Sequence, residues 1–542
     1  MRLGITWLST VAMSLCLTQS VSAHFLWVVT TSEAGKSKVR VFFGESPEPD
    51  DPALLDRFQD LGVTVLSGMR NDAKSLVLEK HGDALEAGLT AGTQASAVFL
   101  RHEYGVVTRG DEPFLLRYYA KTYPSPLIGN WRPVGKKEQL PLEVDAEAGE
   151  KGAMALRVTW QGSAVAGVTV AVHGPGVDVE GVTDELGRFS CRLGQSGRYA
   201  IRARHIEAAG GESDGKKYQS TRHYSTLTLN YTQPRMQPAT VKIPDLLQGV
   251  TSFGGAVLGN DLYLYGGNYG SAHEYYAEGQ SGDLWHINLQ KPGKWGKVLE
   301  GTKLQGLAMV GYEGALYRVG GFTALNKEGD EQDLRSQPDF ARLVPGRNTW
   351  EPLAPLPEPR SSHDAAILGD TVYVVGGWQL RGSSEESRWH TTAWKIKLSD
   401  SKPAWAAIAS PPFQRRALAL AAWNGKIYGI GGMNEKGGPT TAVACYDPQT
   451  DRWSEQAAIL GTGMDGFGAS AFASQGGLYV TTMSGSIQRL SQEGGNWEYL
   501  GQVAHPRFFH RLLPWGKNRL VAVGGAHMSV GKIDPVEVIE VE

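Results

Sequence analysis

Two sets of residues in this 542-residue chain have types suited to chemistry. The first is a basic series carrying two histidines and one carboxylate: Arg360, His363, Arg415, Arg416, Asp465, Arg507 and His510. Guanidinium groups are planar forks that grip carboxylates, so several around one opening would suit a small anionic ligand such as a carboxylate or an acidic sugar. The second set is His24, His205 and His223. Imidazole is a good ligand for Ni, Cu and Zn, and a histidine at a chain's N-terminus adds an amine to the same ion. No HxxxH or CxxC spacing accompanies these three. Each set also has a structural reading, as hydrogen-bonding groups in turns and at strand ends.

His24 becomes an N-terminus only if a leader is removed, and residues 1–23 read as one. Arg2 supplies the positive start, 5–17 is apolar, and Val21-Ser22-Ala23 is a small-residue cleavage site. Cys16 follows Leu15, which is larger than lipoprotein processing usually accepts. The expected location is therefore periplasmic or secreted. No later stretch approaches the ~20 apolar residues of a membrane span. A net charge of −3 leaves no electrostatic footprint for nucleic acid. Cys191 and Cys445 fall in different parts of the chain and read as small buried hydrophobes rather than as a disulfide.

The elements that must position the first set are repeats. Apolar runs end in Gly266-Gly267, Gly320-Gly321, Gly376-Gly377, Gly431-Gly432 and Gly524-Gly525, with Thr481-Thr482 standing where one doublet is missing. Trp295, Trp350, Trp405, Trp453 and Trp497 fall between them, each 25 to 28 residues before the next doublet. Each unit reads as four strands, at a period near 50 residues. This pattern resembles the Kelch family over about 239–542, and the resemblance implies a six-bladed β-propeller. The last unit stops after its third strand at 536–541, so 239–246 (ATVKIPDL) is expected to supply the fourth and close the ring. The basic series then falls at the start of the innermost strands, around one channel mouth. The loops 268–282, 322–338 and 378–391 form a second expected recognition surface.

Residues 24–236 divide at a polar run, 146–152, into an N-terminal β-rich domain (24–149) and a second module (150–236). In the second, Thr183-Asp184 and Gly187-Arg188-Phe189 mark a turn between strands, and the module resembles transthyretin-like sandwiches related to carboxypeptidase regulatory domains. A wider resemblance rests on His24-Phe25-Leu26-Trp27, on Tyr104-Gly105-Val106 and on Pro113-Phe114-Leu115-Leu116-Arg117-Tyr118-Tyr119-Ala120-Lys121. The segments 197–205 and 222–227 also contribute to it. It is to a family of bacterial periplasmic proteins associated with nickel and cobalt uptake, mostly of unknown function. It implies histidine positions at His205 and His223, which neighbouring strands would bring to the rim near His24.

The expected fold is therefore all-β, a six-bladed Kelch-type propeller preceded by β-sandwich domains. Kelch propellers include copper radical oxidases, which need a cysteine cross-linked to a tyrosine. Here Cys445 and Tyr446 are adjacent on one strand and must face opposite ways. They also include periplasmic sialic-acid mutarotases, a likeness of fold without a matched catalytic pair. The expected function is that of an exported, non-enzymatic binding protein. Its N-terminal region associates with a metal and its propeller recognises a sugar or a protein. A sugar-anomer epimerase in the channel and a structural envelope role are the alternatives. The expected partners are a small anionic ligand, a carbohydrate or another envelope protein.

Overall fold

A computed structural model describes residues 24–33, 36–58, 60–67, 72–89, 95–109, 111–127, 130–131, 140–148, 154–233, 235–236, 239, 241–271, 274–491 and 495–541. The leader read at 1–23 lies outside the described residues.

Strand alternation builds the described N-terminal region as three stacked sheets, with a small two-stranded sheet of Gly211–Ser213 and Lys216–Tyr218 besides. The first pairs Phe25–Glu33 with Lys36–Gly44, then Ala84–Leu89 and Glu79–His81. The central sheet has eight strands, in the order Val177–Val182, Thr169–Gly174, Gly197–Glu207, Ser220–Tyr231, Glu112–Thr122, Ala95–Arg109, Gly62–Ser67 and Asp72–Val77. The third holds Ser163–Ala164, Met154–Trp160, Arg188–Cys191 and Leu142–Ala148. Successive side chains of Glu112–Thr122 explain the stacking. Phe114, Leu116, Tyr118 and Ala120 face the first sheet with Trp27 and Phe43. Tyr119 faces the other way, into a core with Leu142, Val158, Tyr199 and Leu227.

The division expected near 149 does not separate two domains. Leu142–Ala148 pairs antiparallel with Met154–Trp160 across that point. Ser220–Tyr231 runs parallel to Glu112–Thr122 in one continuous sheet. The polar run between 146 and 152 connects ladder partners, and pairing between strands about a hundred residues apart leaves no local mark in sequence. The turn at Asp184 does form: its Oδ1 accepts from Leu186 N–H at 3.0 Å and Arg188 N–H at 2.7 Å.

The propeller begins with Gly254–Leu258. Five four-stranded sheets and one three-stranded sheet are arranged in a ring among the described residues, each with one innermost strand. Those strands are Gly254–Leu258, Ala308–Tyr312, Asp364–Leu368, Ala419–Trp423, Ser470–Ser474 and Arg511–Trp515. Each touches the next, and the last touches the first. The doublets join neighbouring blades through their backbone. Gly267 N–H donates to Leu304 O, Gly321 to Arg360 O, Gly377 to Arg415 O and Gly432 to Gly466 O. Gly525 N–H closes the circle on Val250 O at 2.8 Å. Indoles of Trp295, Trp405, Trp453 and Trp497 donate to backbone carbonyls of Pro244, Ala354, Ala409 and Ala457, tying outer strands to the preceding connections.

The strand expected from 239–246 to close the ring is not found among the described residues there, and residue 240 lies outside them. Described residues 241–246 carry no strand, and the last sheet is Arg511–Trp515, Arg519–Val523 and Glu537–Glu540. Pro244 has no N–H to give a ladder. The segment instead inserts Ile243 and Leu246 beside Trp295, Trp515 and Val536, and Leu246 N–H donates to Asp534 O at 2.9 Å.

Candidate functional site: the propeller funnel

One residue per blade turns the chain at the channel mouth, and all six have left-handed φ: Ser252 58°, Gly306 63°, Ser362 52°, Ala417 53°, Gly468 62° and Phe509 54°. Their backbones hand hydrogen bonds round the ring. Gly306 N–H donates to Ser252 O, Ser362 to Gly306 O, Ala417 to Ser362 O, Gly468 to Ala417 O and Phe509 to Gly468 O, at 2.6 to 3.0 Å. The ring forms the throat of a funnel with a volume of about 570 Å³.

The funnel wall has two unlike parts. In one, Arg416 lies 4.4 Å over the Trp378 ring and 5.6 Å from that of Trp389, with its Nη2 3.1 Å from Met433 Sδ. Tyr275 also lines the funnel, its phenol pushed up by burial while Arg416 pulls the other way. Elsewhere on the wall are Phe467 and Phe509, which pack with Phe508 behind them in an aromatic cluster with ring centroids 5.0 to 6.2 Å apart. The hairpins Phe322–Ala324 with Leu334–Ser336, and Trp378–Gln379 with Arg388–Trp389, raise part of the wall. They join through Ser336 N–H and Leu380 O at 3.0 Å. No carboxylate lines the funnel among the described residues.

Arg511 forms the floor. Its Nε donates to Phe253 O at 3.1 Å, Nη2 to Leu307 O at 3.0 Å and Nη1 to Asp364 Oδ1 at 2.8 Å. Asp364 Oδ2 accepts from Leu420 N–H at 2.9 Å. One ion pair thus crosses the channel from the sixth blade to the third and separates the funnel from a second cavity of about 250 Å³ below it.

Of the seven expected mouth residues, His363, Arg416 and His510 line the funnel. Arg360, Arg415, Asp465 and Arg507 do not, and are buried in the blades. Arg360 Nη1 donates to Gly376 O at 2.7 Å and Thr392 O at 3.0 Å. Arg415 reaches Gly431 O and Ala442 O, and Arg507 reaches Gly524 O and Pro535 O. In all three, the guanidinium turns back to cap the doublet's carbonyl, because a buried carbonyl left unpaired would be costly. Asp465 accepts from Thr462 N–H, Ser484 N–H, Thr482 Oγ1 and, from the N-terminal region, Asn130 Nδ2 at 2.8 Å. Phe467, Phe508, Phe509 and Arg511 are not among the residues expected from sequence, whereas Tyr275, Trp378 and Trp389 belong to the loops 268–282 and 378–391 expected as a second recognition surface. Within those variable loops repeat spacing is silent.

The three histidines expected to share a metal do not converge. His205 and His223 are register partners, with rings 6.3 Å apart, both against Trp160 at 4.6 and 4.5 Å. His223 Nδ1 lies 2.9 Å from Tyr119 OH, on the face of the central sheet toward the third sheet. His24 packs on Phe43, 3.4 Å from Asp50, beside the first sheet. The central sheet stands between them. Among the described residues, no group of three or more His, Cys, Asp or Glu is placed to hold a metal ion. Cys445 and Tyr446 face different inter-blade cores, as alternation requires.

His363 and His510 are held well below the usual imidazole range, chiefly by burial and secondarily by arginines that include Arg360 for the first and Arg507 for the second. Both are neutral when folded, whereas the unfolded chain binds a proton at each below about pH 6.5. Stability from this source is therefore fully present above pH 6.5 and declines as pH falls, by up to about 1.4 kcal/mol per pH unit for each histidine. The melting temperature of the wild type is expected to fall more steeply from pH 7 to pH 5 than that of His363→Gln. Parallel curves would contradict the assignment.

Residues 256–482 match the family model described as the KLHDC2/KLHL20/DRC7 Kelch-repeats domain. This part of the chain is a Kelch-repeat β-propeller, and a second, β-rich region precedes it. Kelch-like protein 35 of Mus musculus is 32% identical over 213 residues, covering 38% of this chain and 30% of its own length. Kelch-like protein 23 of Homo sapiens is 24% identical, covering 48% and 43%. Kelch-like protein terF of Aspergillus terreus is 25% identical, covering 45% and 51%. The chain thus spans at most about half the length of these relatives. A solved structure titled "Structure of YjhT" aligns at 17% identity and a TM-score of 0.45, covering 55% of this chain and 97% of that one. No helix among the described residues is long and apolar enough to cross a membrane.

Proposed function

We propose that this is a binding protein whose propeller captures a carboxylate-bearing carbohydrate in the funnel. Read together with the leader at 1–23, the encounter takes place outside the cytoplasm. The observation that carries the reading is Arg416, a half-buried guanidinium laid over Trp378 in a funnel lined by no carboxylate among the described residues. The arginine offers charge-assisted hydrogen bonds to an anion. The aromatic walls offer flat apolar surface to a sugar ring, and Ser252, Ser362 and Gln332 offer polar edges. The neutral, buried His363 and His510 favour holding a ligand over acid–base chemistry on it.

Calorimetric titration with trigalacturonate and with its methyl ester tests the proposal. The acid is expected to bind about 30-fold more tightly than the ester, the value of a charged hydrogen-bond pair. Arg416→Ala should remove that preference. Equal affinity for acid and ester, or an unchanged preference in the variant, would overturn it.

A further inference from the structure

The N-terminal region contains a buried group of reactive side chains that the funnel does not use. Lys121, on the strand Glu112–Thr122, is 1% exposed. Its Nζ donates to Glu143 Oε1 at 2.8 Å and to Asp145 Oδ1. Both carboxylates sit on the neighbouring strand Leu142–Ala148, two residues apart and so on one face of it, and are 2% and 9% exposed. Tyr123, 1% exposed, donates its hydroxyl to the same Asp145 Oδ1 at 3.0 Å. Tyr119 and Tyr123 flank the lysine on its own strand face and belong to the apolar core.

This arrangement is poor as a permanent salt bridge. Ionisable groups are withdrawn from water together, and desolvation of buried ions commonly exceeds their mutual attraction. It is well suited to condensation. The amine is held against a carboxyl oxygen of Asp145, with a second carboxylate beside the amine to move protons and a phenol donor on that same oxygen. We propose that Lys121 and Asp145 join in an intramolecular isopeptide bond, with Glu143 as the proton carrier.

The atoms balance without a co-reactant. The Lys121 ammonium passes a proton to Glu143, and the freed Nζ lone pair attacks Cγ of Asp145 while Tyr123 OH holds Oδ1. The N–C bond forms. Glu143 returns its proton, and the second proton lost from nitrogen goes the same way, to the departing oxygen. The C–O bond then breaks, water leaves, and Glu143 is again a carboxylate. One positive and one negative charge vanish from the core, and a neutral amide replaces them. Burial alone would pull the Lys121 proton off, but Asp145, Tyr123 and Glu143 hold it on and the net is upward. The first transfer is therefore uphill, and the bond forms once, slowly, after folding. The link ties two strands of different sheets across an internal segment of the chain, which restricts the unfolded chain as a disulfide would.

Intact mass spectrometry of the denatured full chain tests this. The wild type is expected to be lighter by one water, and a tryptic map should contain the Lys121 and Asp145 peptides as one branched species. Lys121→Met and the near-isosteric Glu143→Gln should have full mass and melt at lower temperature than the wild type. A wild-type chain of full mass with cleavage after Lys121 overturns the proposal. A fully linked Glu143→Gln chain overturns the role given to Glu143.

Discussion

Asp364→Ala is expected to lower the stability of the propeller by about 3–5 kcal/mol, the usual cost of removing one partner from a buried ion pair. The size follows from what Arg511 does. Its guanidinium bonds to Phe253 O, Leu307 O and Asp364, on the first, second and third blades, from a position on the sixth. Asp364 in turn accepts from Leu420 N–H on the fourth. Alanine leaves the cation short of its counter-charge and an amide N–H without its acceptor, and each loss is costly in the channel. Removing both partners is a different matter, because a buried pair exchanged for apolar side chains is often nearly neutral. Urea unfolding monitored by tryptophan fluorescence should show a transition at much lower denaturant for Asp364→Ala. The double change Asp364→Leu with Arg511→Met should recover most of the loss. A single-variant loss below about 1 kcal/mol would show that the ion pair does not hold the ring.

The second large effect is expected at Gly466, which stands where the third, fourth and sixth blades have Arg360, Arg415 and Arg507. A Cβ there would lie 1.8 Å from Thr440 O and 2.9 Å from Gly431 Cα. Both obstacles are backbone, and Gly466 O must also accept from Gly432 N–H at 2.7 Å. No rotamer change relieves the clash, so the fourth and fifth blades must part. Gly466→Ala should therefore cost at least about 3 kcal/mol, at the upper end of overpacking. Gly296→Ala, where a Cβ meets nothing within 4 Å, should change stability by no more than about 0.5 kcal/mol. Comparable melting temperatures for the two variants would contradict the packing described between these blades.

Gly466 also shows what was legible in the sequence and what was not. The blade count was readable because doublet and tryptophan recur at fixed spacing within single units, and each motif does its job close to where it stands. The pairing of Ser220–Tyr231 with Glu112–Thr122 is non-local and leaves no trace in sequence, so the polar run 146–152 reads as a domain boundary. At the mouth, residue type was readable but direction was not. Arg360, Arg415 and Arg507 turn into the blades, while Arg416, one residue on from Arg415, turns outward over Trp378. Arg511 was within reach of sequence reasoning. The innermost strands begin with Gly254, Ala308, Asp364, Ala419, Ser470 and Arg511. The single acidic and single basic residue among these six stand three blades apart, facing each other across the ring.

A crystal structure of the protein with trigalacturonate tests the central claim most directly. The account predicts a sugar ring against Trp378, with its carboxylate within hydrogen-bonding distance of the Arg416 guanidinium. A trisaccharide bound on the outer blade loops, or a funnel left empty at saturating ligand, would contradict it.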